Sequence, residues 1–222
     1  MEGRDRMRST PRLALYWGIG CAAAFAVVAA FVSTGYSDGF DRPLTDGLHN
    51  LESDGWTAFL KTAGSVASGI PVAVIIALVC LYLLLARRIG EWVTFIAVLA
   101  GSQAVNLALK ELFQRERPDV HRLIEASGYG FPSGNATSAL ALFGMLAVLG
   151  WSRIPSRAGR TALVVICSFF TLAAGVSRIY LGVHYPTDIA GAYLSTGAVL
   201  FAALAIRARI TVKRHPDSGV PL

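Results

Sequence analysis

Six apolar runs, near Leu13–Val32, Ile70–Ala86, Trp92–Leu109, Gly134–Trp151, Thr161–Val176 and Ile189–Ile206, constrain this chain more than any other feature. Each is almost free of charge, and a helix needs about 20 apolar residues to cross the roughly 30 Å hydrocarbon core of a bilayer. Inside that core every backbone N–H and C=O must be bonded within the protein, which a helix achieves on its own. The runs predict an all-α polytopic membrane protein with six transmembrane helices, the shorter ones borrowing flanking residues. Composition agrees, with 54% hydrophobic residues, 15% charged residues and a mean hydropathy of +0.54. The 222 residues fit one membrane domain, 1–222, with cytoplasmic tails at 1–12 and 207–222.

A basic N-terminus before an apolar stretch also describes a secretory signal peptide, but the first run is longer than the usual 7–15 residues of such a peptide. Phe31-Val32-Ser33 also lacks the small-x-small cleavage pattern, so the helix is expected to be retained. Cys21, Cys80 and Cys167 each fall inside an apolar run, where free cysteine acts as a small hydrophobe. Their spacing suggests neither a disulfide framework nor a metal site.

The formal charge of +6 follows the connections between runs and forms no single stripe, which argues against nucleic acid as a partner. Arg4, Arg6, Arg8 and Arg12 precede the first run, and Arg87 and Arg88 join the second to the third. Arg153, Arg157 and Arg160 join the fourth to the fifth, and Arg207, Arg209, Lys213 and Arg214 end the chain. Most of the 20 Lys and Arg thus share one side, which positive-inside reasoning places in the cytoplasm with both termini. The remaining connections, including Lys110–Gly134 and Arg178–Asp188, face outward.

Between the first two runs, Ser33–Ser68 carries Phe40, Leu44, Leu48, Leu51 and Phe59 or Leu60 at helical spacing. That pattern predicts an amphipathic helix on the outer membrane surface, with Asp38, Asp41, Asp46, Glu52 and Asp54 on its solvated face.

The outward basic residues concentrate in the third-to-fourth and fifth-to-sixth connections, against the insertion rule. Lys110, Arg117 and Arg178 fall at or near helix ends, and together suit an anion, the Arg fork and the Lys point charge both matching phosphate oxygens. Arg115 and Arg122 read as solvated. The fourth helix opens Phe131-Pro132-Ser133-Gly134-Asn135, where Ser133 suits the N-cap and Gly134 permits close approach to backbone N–H groups that attract anions. In the last connection, Pro186 suits the first position of the final helix and places Asp188 about one turn from His184. A carboxylate that orients an imidazole fixes its tautomer and raises its basicity, as a nucleophilic histidine requires.

These three segments resemble the signature of the type 2 phosphatidic acid phosphatase superfamily of membrane lipid phosphatases, which is related to vanadium haloperoxidases. That signature is Lys, six residues, Arg-Pro; then Pro-Ser-Gly-His; then Ser-Arg, five residues, His, three residues, Asp. This chain has Lys110 with Arg117-Pro118, then Pro132-Ser133-Gly134-Asn135, then Ser177-Arg178 with His184 and Asp188. The motifs lie within 110–188, and the six-helix layout extends the likeness over nearly the whole chain.

The resemblance implies a phosphohydrolase that needs no metal or other cofactor. His184 would attack phosphorus and carry a phosphohistidine, with Asp188 orienting its ring. Lys110, Arg117, Ser133, Gly134 and Arg178 would bind the phosphoryl oxygens. The implied partner is a lipid phosphate or diphosphate in the membrane, with undecaprenyl diphosphate, phosphatidylglycerophosphate and phosphatidate as candidates. The site would face outward from the cytoplasmic membrane.

One position departs from the pattern. Asn135 stands where the family's histidine protonates the leaving oxygen, and an amide donates a hydrogen bond but gives up no proton. General acid catalysis contributes roughly 10²–10⁴ in rate, so the change would impair turnover unless something compensates. Three readings stay open: an introduced inactivating substitution that traps lipid, an enzyme whose leaving group needs little protonation, and a non-catalytic lipid-phosphate-binding protein. His121, in the same outward connection, is a weak candidate for a replacement acid.

Overall fold

The computed structural model describes residues 2–66, 69–119 and 122–214, with side chains from Pro11 to Lys213. Regular structure among them is wholly helical: α1 (Glu2–Ser33), α2 (Asp38–His49), α3 (Asp54–Val66), α4 (Gly69–Leu85), α5 (Ile89–Phe113), α6 (Gly134–Trp151), α7 (Arg157–Tyr180) and α8 (Pro186–Arg214). Six segments are long and apolar enough to cross a membrane: Pro11–Ser33, Asp54–Leu85, Ile89–Phe113, Gly134–Trp151, Arg157–Tyr180 and Pro186–Lys213. Each overlies one of the six apolar runs. The second is longer than its run because α3 and α4 follow one another, α4 opening at Gly69 with a left-handed φ of +61° that glycine adopts without strain.

Large apolar side chains point outward along these helices, with Val27 70%, Ile70 80%, Leu85 75% and Leu112 72% exposed. In water so much exposed apolar surface would drive association, whereas in lipid tails it costs nothing. The interior is built from small residues and several apolar clusters, the largest around Leu83, Phe95, Val98, Leu142, Met145, Leu149 and Leu200, with smaller ones around Phe143 and Cys167, Ile179 and Ile189, and Leu60 and Tyr180. α8 is its hub: α1, α5 and α6 all pack on it, while α7 joins through α6 and carries α3 on its flank. Glycine sets how near the elements come. A Cβ on Gly191 would sit 2.5 Å from Cε2 of Phe131, so α8 accepts the turn before α6 directly against its backbone.

The polar stretch between the first two runs differs from the single amphipathic helix that its spacing suggests. It forms two helices, α2 and α3, and α2 turns the unexpected face to the protein. Phe40 and Leu44 are 52% and 45% exposed, while Ser37, Asp41 and Thr45 are buried. Asp41 is therefore not on the solvated face. Apolar residues can face lipid or the membrane surface at no cost, so the groups that need protein partners are the ones that go inside.

Replacing Gly191 with Leu should overpack the Phe131 contact and destabilise the fold by about 1–3 kcal/mol. Gly20→Ala, at a position with nothing within 4 Å of the added carbon, should leave stability unchanged or slightly higher. Thermal unfolding of both variants in the same detergent checks the contrast.

Candidate active site

The end of α7 and the start of α8 build the centre. Helix α7 stops at Tyr180, and Gly182, at φ +72°, reverses the chain in the manner of a glycine helix terminator. The amides of Val183 and His184 both donate back to the carbonyl of Arg178, at 3.1 and 3.2 Å, which fixes His184 beside the end of α7. Pro186 then starts α8 as its spacing suggests, and Asp188 comes one turn from the histidine. His184 Nδ1–H donates to Asp188 Oδ2 at 3.2 Å, and the Tyr185 amide donates to the same oxygen at 2.9 Å.

The other ring nitrogen settles the tautomer. Arg117 Nη1 lies 3.0 Å from His184 Nε2, and a guanidinium can only donate, so Nε2 must be the unprotonated acceptor. His184 is thus neutral with its proton on Nδ1. Burial pushes its pKa below the ordinary histidine value; Asp188 works the other way, while Arg117 and Lys110 add to the depression. The ring keeps a lone pair on Nε2 at neutral pH.

Three cations converge beside that lone pair. Arg117 is held through backbone carbonyls, donating from Nε to Gly128, from Nη2 to Ser127 and from Nη1 to Val183 at 2.8–2.9 Å. Lys110, in the last turn of α5, donates to the Tyr129 carbonyl. Arg178, in the last turn of α7, reaches the Gly64 carbonyl at 3.5 Å. With Gly134, Asn135 and His184 they line a cavity of about 460 Å³. Glu125 supplies the carboxylate among the described residues on its wall.

The turn before α6 supplies uncharged donors. Asn106 on α5 donates from Nδ2 to the Pro132 carbonyl and to Thr137 Oγ1, both at 3.1 Å, and the Ser133 amide donates to the Asp188 carbonyl at 3.1 Å. Ser133 occupies the N-cap position with extended backbone, but its hydroxyl does not cap the helix. Its Oγ is fully buried and bonds to no protein group. An unsatisfied hydroxyl beside the open first turn of a helix is able to donate to an anion. Below Asn135, Gln103 Nε2 donates to Ser138 Oγ at 2.6 Å and closes the cavity with a polar floor.

The fold thus brings Lys110, Arg117, Gly134, Asn135, Arg178 and His184 to one cavity, with Ser133 and Asp188 buried beside it. Arg115 corrects the sequence reading. It is not solvated: its side chain is 11% exposed and spans Asp188 Oδ1 and Asp41 Oδ2, each at 2.7 Å. It also donates to Thr187 Oγ1 at 2.7 Å and Ser37 Oγ at 3.0 Å. Arg122 is exposed and bonds to the Pro118 carbonyl, in keeping with its expected solvation. His121 lies outside the described residues. Sequence reasoning missed Asn106, although a polar residue one turn before Lys110 in an apolar run was a usable signal. Asp41 had none, standing among other surface-like acids.

Comparison with known proteins gives the family. Residues 91–212 match the family model of the PAP2 superfamily. The chain belongs to that superfamily. It is 31% identical over 116 residues to phosphatidylglycerophosphatase B of Bacillus subtilis (strain 168), covering 52% of this chain and 57% of that one. It is 34% identical over 111 residues to decaprenylphosphoryl-5-phosphoribose phosphatase of Mycobacterium tuberculosis (strain ATCC 25618 / H37Rv), covering 48% and 55%. The chain therefore spans little more than half the length of these curated relatives. Its fold matches the crystal structure of a transmembrane PAP2 type phosphatidylglycerolphosphate phosphatase from Bacillus subtilis, with a TM-score of 0.78 and 21% identity over 90% of this chain and 97% of the other. Both curated relatives carry the names of phosphatases.

Arg117 and Arg178 line the cavity and Arg122 does not. Arg117→Ala or Arg178→Ala should weaken binding of a lipid phosphate at least ten-fold, the order of one charge-assisted hydrogen bond. Arg122→Ala should change it less than about two-fold, within the range of an exposed charge. Titration of each purified variant with a soluble short-chain lipid phosphate makes the comparison.

Proposed function

We propose that this PAP2 protein hydrolyses a lipid diphosphate through a phosphohistidine on His184. The observation that carries the reading is the neutral His184 ring, its Nε2 lone pair beside three cations and its Nδ1–H held by Asp188. In the first step Nε2 attacks phosphorus and the bond to the leaving oxygen breaks, the oxygen departing with the electron pair. Lys110, Arg117, Arg178, the Ser133 hydroxyl and the N–H groups at the start of α6 stabilise the charge on the phosphoryl oxygens. An entering phosphate competes for the Arg117 guanidinium, which releases Nε2 for attack. In the second step water attacks phosphorus, the P–N bond breaks, and phosphate leaves.

Asn135 selects among substrates. A lipid monoester expels an alkoxide whose conjugate alcohol has a pKa near that of water, about 15.7, so departure without a proton donor is slow. A lipid diphosphate expels a phosphate monoester whose second pKa is about 6, and it leaves largely unprotonated. A carrier lipid such as undecaprenyl diphosphate fits this site better than phosphatidylglycerophosphate or phosphatidate. Asn135→His should raise monoester hydrolysis by roughly 10²–10⁴ and diphosphate hydrolysis by clearly less. Phosphate release from both substrates in one detergent, with His184→Ala as the inactive control, measures this. Equal gains would sink the leaving-group argument, and no turnover by any form would favour a protein that binds lipid phosphate without hydrolysing it.

The site opens on the extracytoplasmic side in this reading. At the end of the bundle where α5 begins, opposite Lys110, Arg88, Arg153 and Arg207 gather on Glu91. Such a basic end is the one retained in the cytoplasm. Cysteines placed at Arg122 and Arg157 of a version lacking Cys21, Cys80 and Cys167 should label from opposite sides of intact cells. An impermeant reagent should reach only the first, and labelling at Arg157 instead would invert the topology.

A further inference from the structure

We propose that Arg115 and Asp41 are positioning residues for the His184–Asp188 pair: α2, from outside the catalytic motifs, sets the orientation and charge of the nucleophile through a buried carboxylate–guanidinium–carboxylate line. The inference rests on the reading of His184 as nucleophile. Asp188 uses its two oxygens for different tasks, Oδ2 receiving His184 Nδ1–H and the Tyr185 amide, Oδ1 receiving Arg115 Nη1 at 2.7 Å. The far side of the same guanidinium meets Asp41 Oδ2 at 2.7 Å. Asp41 also accepts from the Thr187 amide at 3.0 Å and the Thr187 hydroxyl at 2.6 Å, so it grips the first turn of α8, where Asp188 itself begins. Both carboxylates are fully buried, and Tyr185 lies across the guanidinium with its ring centre 4.6 Å from Cζ.

The geometry gives the two residues opposite effects. Arg115 does not line the cavity, so it acts on phosphate only through Asp188. As a cation behind Asp188 it offsets part of the carboxylate's pull on the imidazole and keeps the ring neutral. Asp41 in turn offsets Arg115. The charges facing His184 are Asp188 from α8, Lys110 and Arg117 from the end of α5 and beyond, and Arg178 from α7 and Glu125 from the cavity wall, and none of these changes in the variants below. A bidentate fork is needed because two carboxylates flank one cation, and lysine offers only a point charge.

The test follows the ring proton of His184 directly by NMR of the ligand-free protein with ¹³C-labelled histidine, its signal assigned by loss in His184→Ala. Arg115→Gln should raise the titration midpoint by roughly one pH unit, the order a single charge two contacts away exerts in a protein interior. Asp41→Asn should lower it by a smaller amount, and the double variant should fall between. Arg115→Lys keeps the charge and so should leave the midpoint near the parent's, while kcat on a lipid diphosphate falls roughly ten-fold at little-changed KM, as lost alignment predicts. Should Arg115→Gln fail to fold, Asp41→Asn and Arg115→Lys still decide. Midpoints that stay fixed, or that move in the same direction for Arg115→Gln and Asp41→Asn, would overturn the proposal. Turnover that survives His184→Ala would instead overturn the nucleophile assignment and leave these shifts interpretable.

Discussion

A carboxylate buried beside a cavity lined by cations must itself be answered by a cation, and Asp188 is answered by Arg115. Removing either partner of such a buried pair would leave an uncompensated charge, at a cost of about 3–5 kcal/mol. The fork of Arg115 also binds Asp41, so one guanidinium joins the end of α5, the first turn of α8 and helix α2. The Ser133 amide donates to the Asp188 backbone carbonyl, which adds α6 to the same point. Four elements are fixed around one residue.

The cations of the cavity obey a related rule. Lys110, Arg117 and Arg178 would repel one another in an empty pocket, and each instead donates to a backbone carbonyl, of Tyr129, of Gly128, Ser127 and Val183, and of Gly64. Carbonyls are dipoles that lower the energy of a cation without cancelling its charge. The pocket therefore stays positive and preorganised for an anion. Helix ends supply the rest: Lys110 and Arg178 sit in the last turns of α5 and α7, and the first turn of α6 faces the same space.

Much of the site was legible because it is carried by short-range spacing. His184 and Asp188 are one helical turn apart, Ser133 and Gly134 open a helix, and Lys110 closes one, so local geometry alone brings each small group together. Arg115 was misread because nothing in its neighbourhood distinguishes it from Arg122. Both are arginines in a polar connection, and only the docking of α2, distant in sequence, buries one of them. Asp41 escaped notice for the same reason, its helical spacing suggesting a wet face.

The sequence by itself determined the membrane-spanning, all-helical architecture, since apolar runs of bilayer length leave the backbone no other solution, and it named Lys110, Arg117, Gly134, Asn135, Arg178 and His184 among the residues that line the cavity. Tertiary structure decided which face of α2 points inward, the division of the polar stretch into α2 and α3, and the buried line from Asp41 through Arg115 to Asp188. Those features depend on pairing charges far apart in the chain. Hydrophobic patterning is silent about them in a bilayer, where an apolar face has no need to hide and a buried carboxylate takes whichever cation the fold brings within reach.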